Sequence, residues 1–171
     1  MTSSSIPRWV ALARTGDPSA WTRLHEHFRP AVHSVALARG SVESAEDLVQ
    51  ESFTRALERL DELRSDEAFG PWLFQITRNL AASGHRRRSR FTVLTDVLSF
   101  RPRPTAEAKQ AIEAIRALPD AYSELMAMRL IEGLTGPEIA ALTDRSPGSI
   151  RVSLHRGMKL LRERMGVHDA H

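Results

Sequence analysis

Apolar residues recur along this chain with the 3.6-residue period of helices, and no segment alternates strictly between apolar and polar positions, so the pattern predicts an all-α fold. A first helix is expected over Trp9–Thr15. Asp17-Pro18-Ser19 opens a second, which runs to about Ala38 with a bend near Pro30, and Arg39-Gly40-Ser41 closes it. Ser44 takes an N-cap position, with Asp47 three residues on as in a capping box. The helix it opens carries Ala45, Leu48, Val49, Ser52, Phe53, Ala56, Leu57 and Leu60 on one face, leaving its acids outside. The stripe breaks over Asp61–Phe69 and resumes as Phe69, Trp72, Leu73, Ile76 and Leu80, with Pro71 in the first turn. Trp72 falls within that stripe and reads as core.

Gly84 and the run His85-Arg86-Arg87-Arg88-Ser89-Arg90 end this first unit. Phe91–Pro104, closing on Arg101-Pro102-Arg103-Pro104, reads as an extended linker. Thr105 then caps a helix over Ala106–Ala117, with Ile112 and Ile115 inward and Leu118-Pro119 as the stop. Another helix spans about Ala121–Glu132, carries Leu125, Met128, Leu130 and Ile131, and ends at Gly133. Thr135 caps a short helix through Leu142, with Pro137 in its first turn and Ile139 and Leu142 inward. Thr143-Asp144-Arg145 is a tight turn, where aspartate tolerates the left-handed conformation. Ser146 caps the last helix and Pro147 begins it, with Ile150, Leu154, Met158 and Leu161 as its buried stripe. Two helices joined by so short a turn, the second cationic outside, form a helix-turn-helix. The expected architecture is two small helical domains, 1–90 and 109–171, joined by a linker at 91–108.

Charge sharpens this picture. Ser44–Glu67 holds eight acids against three arginines, a net of −5. Arg78–Arg103 has a net of +6 and Ala141–Met165 a net of +4. Two basic blocks on separate units suit two contacts along one polyanion, since each releases counterions. Of the 24 basic residues, 22 are arginine. That bias suits phosphate and guanine recognition and equally reflects a GC-rich genome. In a helix-turn-helix the N-terminal part of the second helix enters the major groove, which makes Ser149, Arg151, Val152 and His155 the candidates for base edges and Arg156 and Lys159 for phosphates.

Composition excludes much else. The 171 residues, 42% hydrophobic and 26% charged, suit one ordinary folded domain or two small ones. No apolar run approaches the roughly 20 residues of a membrane span. The opening Met1–Trp9 lacks a secretory pattern, so a cytoplasmic protein with no membrane contact is expected. The chain has no cysteine, which removes disulfides, thiolate catalysis, zinc fingers and iron–sulfur ligation. His25 and His27, two apart on a helix, point to different sides and make a poor metal pair. No catalytic motif, metal set or cofactor loop stands out, and the Glu46–Glu51 acids read as a protein-docking face.

Ser44-Ala45-Glu46-Asp47-Leu48-Val49-Gln50-Glu51-Ser52-Phe53 resembles the second-domain signature of bacterial RNA polymerase sigma factors. Phe69-Gly70-Pro71-Trp72-Leu73-Phe74-Gln75-Ile76-Thr77-Arg78-Asn79-Leu80-Ala81 continues it in the style of the extracytoplasmic-function group. Ala117-Leu118-Pro119, Glu132-Gly133-Leu134-Thr135, Glu138-Ile139-Ala140 and Ser149–Gly157 resemble the fourth-domain signature. The resemblance implies that Asp47, Leu48, Gln50 and Glu51 dock on core RNA polymerase. It implies that the loop holding Leu63, Arg64, Ser65, Asp66 and Phe69 captures a base flipped from the single-stranded −10 non-template strand, with Arg78 and Asn79 holding that strand. It further implies that the helix-turn-helix reads double-stranded promoter DNA at the −35 element, and that an anti-sigma factor restrains the chain. Ser65 stands where the family often has glycine, Asp144 and Arg145 replace the usual glycine and apolar residue of the turn, and Val152 and Ser153 occupy positions that are often polar or basic. Two other functions fit parts of the pattern: a free-standing helix-turn-helix regulator, and an interaction protein whose basic tracts bind acidic partners.

Overall fold

The structure, a computed structural model, describes residues 5–87 and 105–166, and these are helical with no strand among them. The helices are α1 (Ile6–Arg14), α2 (Pro18–Arg39), α3 (Ala45–Glu58), α4 (Phe69–Arg87), α5 (Ala106–Arg116), α6 (Asp120–Leu130), α7 (Gly136–Thr143) and α8 (Pro147–Arg164). The extended linker expected over Phe91–Pro104 lies outside the described residues, as do the last arginines of the basic run and the C-terminal tail.

Local chemistry accounts for most element ends. The Asp17 carboxylate accepts from the Ser19 and Ala20 amides, and Pro18 begins α2. α2 then continues through Pro30 to Arg39. The lost backbone bond there is offset by burial on both sides of the proline, at Phe28, Ala31, Val32 and Val35. α1 begins at Ile6, with Pro7 in its first turn, three residues before the apolar pattern suggested. α4 runs past Gly84 to Arg87, so that glycine does not end the helix. The capping box expected at Ser44 does not form. Ser44 has a helical backbone and no cap bond, because its hydroxyl lies 2.8 Å from that of Ser41. Two residues of the expected apolar stripes face outward: Leu57 is 49% exposed and Leu130 46%. Thr105 does cap α5, through the Ala108 amide. α5 thus begins at Ala106, as its cap predicts, and its first turn takes the last three residues of the 91–108 span assigned to the linker.

Three phenylalanines centre the core: Phe28 packs on Phe69 and Phe74 at ring separations of 5.2 and 6.2 Å. Trp21 meets Phe53 and Phe69 edge-on, and Trp72 lies partly buried against Phe69. The same apolar cluster continues without a break into Leu125, Met128, Ile139, Ala140, Leu142 and Ile150. A smaller cluster of Ile115, Leu118, Met126, Ala127 and Leu161 joins α5, α6 and α8. The two helical units, read from sequence as separated bodies, are thus pressed together. α6 explains how: six consecutive residues, Ser123–Met128, are buried, because α2 covers one side and α8 the other.

Gly70, at the start of α4, marks a close approach between the units. A methyl group there would collide with the Leu142 carbonyl oxygen and come within 2.8 Å of the Phe28 ring. Gly70→Ala is therefore expected to destabilise the chain by about 1–3 kcal/mol, read as a lower urea midpoint. An unchanged midpoint contradicts the tight approach.

Candidate nucleic-acid interface

α7 and α8 are built by strong local signals. Thr135 and Glu138 form a reciprocal capping box at the start of α7. Asp144 ends it in the left-handed region at φ 53°, ψ 41°, which a short polar side chain tolerates. Ser146 accepts from the Ser149 amide and Pro147 opens α8. The inner face of α8 presents Ile150, Gly157 and Leu161. Gly157 is required by packing, since a Cβ there would lie 2.9 Å from the Met126 side chain. Ser149, Arg151, Val152, His155, Arg156 and Lys159 all lie on the exposed side. Arg145, in the turn, donates to the hydroxyls of Ser149 at 2.9 Å and Ser153 at 3.1 Å. This side chain braces the front of α8, a role no sequence spacing announced.

On the first unit, Asp47, Gln50 and Glu51 are exposed along one edge of α3. Leu48, expected among the docking residues, is 8% exposed and turns into the core. Glu46 pairs with Arg29 of α2 at 2.8 Å. His25 and His27 diverge as expected: His25 lies on the Phe53 ring and His27 against Trp9 and Phe28. Burial lowers the pKa of both imidazoles.

Between α3 and α4 the chain makes two single turns of 3-10 helix, Leu60–Glu62 and Asp66–Ala68. Arg64 and Ser65 form the exposed rim of this loop, and the Ser65 hydroxyl donates to Glu67. Leu63 and Phe69, expected as nucleic-acid contacts, are buried at 7% and 0% exposure. They are the floor under the rim, held there by the apolar core. Asp66 is half-buried in an ion pair with Arg14 of α1 at 2.6 Å. Asn79 is exposed and accepts from the Gln75 amide. Arg78, one residue earlier, is held by the other unit. Its Nε and Nη2 donate to the two carboxylate oxygens of Glu124 on α6, at 2.8 and 2.7 Å. Arg39 of α2 shares that carboxylate at 2.7 Å and also pairs with Asp120. Burial pushes the Glu124 carboxyl up. The hydrogen bonds and charges of Arg78 and Arg39 outweigh it, leaving the pKa below its ordinary 4.5.

Among the described residues no cluster of His, Asp and Glu could hold a metal ion, and no helix is long and apolar enough to cross a membrane. Two descriptions of the sigma-70 family match the chain: region 2 over residues 24–91 and region 4 over residues 108–161. The chain is 31% identical over 168 residues to a probable RNA polymerase sigma factor, RfaY, of Xanthomonas campestris pv. campestris, covering 90% of this chain and 42% of that protein. It is 28% identical over 173 residues to the ECF RNA polymerase sigma factor BldN of Streptomyces coelicolor, covering 93% and 65% respectively. The chain thus spans less than two thirds of the length of these two relatives. The structure of CnrH in complex with the cytosolic domain of CnrY has the same fold, with a TM-score of 0.64 at 23% identity over 97% of this chain and 99% of that one.

A carboxyl whose folded pKa is lowered adds stability above its unfolded value and loses it as the pH falls through the folded one. Glu124 faces Arg39 from α2 and Arg78 from α4, and Asp120 shares Arg39 with it. Wild type is therefore expected to exceed Glu124→Gln in thermal midpoint near neutral pH, with the gap closing as pH falls below 4.5. A gap that stays constant down to pH 3 would contradict this reading.

Proposed function

Because this chain belongs to the extracytoplasmic-function group of sigma-70 factors, we propose that it is a promoter-specificity subunit. It binds core RNA polymerase in the cytoplasm, reads the −35 and −10 elements and helps to open the DNA. It carries no reaction of its own. The observation behind this reading is the joint presence, on one short chain and in family order, of an exposed acidic edge on α3 and an exposed cationic reading face on α8.

The proposed division of labour follows the chemistry of each surface. Asp47, Gln50 and Glu51 dock on a basic surface of core polymerase, where opposed charge speeds encounter and fixes register. Leu48 contributes by holding α3 against the core. Arg151 and His155, with Ser149 and Val152, face base edges in the major groove, while Arg156 and Lys159 neutralise phosphates. The loop rim at Arg64 and Ser65, above a floor of Leu63 and Phe69 and beside Asp66, receives a flipped −10 base. Arg78 and Asn79 hold the unpaired strand. Flipping costs a few kcal/mol of unstacking, which a shaped pocket and nearby cations offset. An anti-sigma factor that restrains this activity completes the proposal.

Transcription by purified core polymerase on a genomic fragment library tests the reading directly. Promoter-selective initiation that depends on this chain is the expected result. A free-standing regulator would bind DNA alone and leave core polymerase unchanged. Reversing charge at Asp47 and Glu51 should abolish association with core polymerase while the helical content stays intact, and undiminished co-purification would refute the docking assignment. Arg151→Ala should cost about 1–3 kcal/mol of −35 discrimination, measured as competition between promoter variants. An unaltered promoter profile would discredit that contact.

A further inference from the structure

Arg14 lies on α1, ahead of the region 2 match that begins at residue 24. Its guanidinium spends its donors on one target, the loop proposed to capture the −10 base. Nη1 donates to the Asp66 carboxylate at 2.6 Å, Nη2 to the Leu63 carbonyl at 2.7 Å, and Nε reaches the Leu60 carbonyl at 3.4 Å. The three acceptors span both sides of the exposed rim. A planar fork with fixed donor directions sets their relative positions, which a flexible point charge cannot do. The helix carrying it is fixed in turn, because Trp9, Val10 and Ala13 are buried in the core. The pairing also neutralises Asp66, which would otherwise present a bare carboxylate to a passing phosphate.

Resting on the proposed function, we propose that Arg14 is a specificity-determining positioning residue: it shapes the −10 base pocket from outside the matched family segment. Arg14→Ala and Arg14→Lys, assembled with core polymerase, are compared with wild type on promoters that differ at single −10 positions. Both variants should lose at least tenfold in discrimination at the captured position, with −35 discrimination unchanged as the internal control. A merely structural role lowers the thermal midpoint and the output of every promoter by one common factor, and that result overturns the proposal. Full −10 discrimination by Arg14→Lys, which keeps the charge and the stem, overturns it as well. Should wild type itself fail to initiate selectively, the proposed function falls with it, which separates the two failures.

Discussion

Burial of α6 between α2 and α8 is the constraint on which the rest of this structure depends. A helix covered on two sides must be apolar nearly all round, and Ser123–Met128 meets that condition apart from Ser123 and one ionisable residue, Glu124. A carboxylate in such a place needs partners, because desolvation of an unpaired charge costs several kcal/mol. Arg39 and Arg78 supply them, and both come from the other unit. This buried ion pair, with those of Arg39 with Asp120 and His33 with Glu132, helps to fix the register in which the two units meet.

The functional surfaces sort themselves around that seam. The acidic edge of α3 and the reading face of α8 remain exposed with the units packed together. Arg78, by contrast, is engaged by Glu124 while its neighbour Asn79 is open.

Helices, caps and the helix-turn-helix were legible in the sequence because their causes are local. Asp17-Pro18, Thr135 with Pro137, Ser146-Pro147 and the αL turn at Asp144 act within four residues of themselves. The exposed faces of α3 and α8 are legible for the same reason: helical period assigns faces. Ser44 was misread because a nearer partner, Ser41, took its hydroxyl. Leu63 and Phe69 were assigned to a binding surface because a motif names positions without saying which way they turn.

What the sequence determined by itself is the all-helical fold, the order of its elements, the opposed charge of its two functional faces and the family to which it belongs. Tertiary structure alone decided that the two units share one core, that Arg14 organises a loop some fifty residues away and that Glu124 claims Arg78. The physical reason is separation along the chain. Periodicity and capping report on neighbours within a turn or two, whereas an ion pair between distant helices depends on how their apolar faces come together.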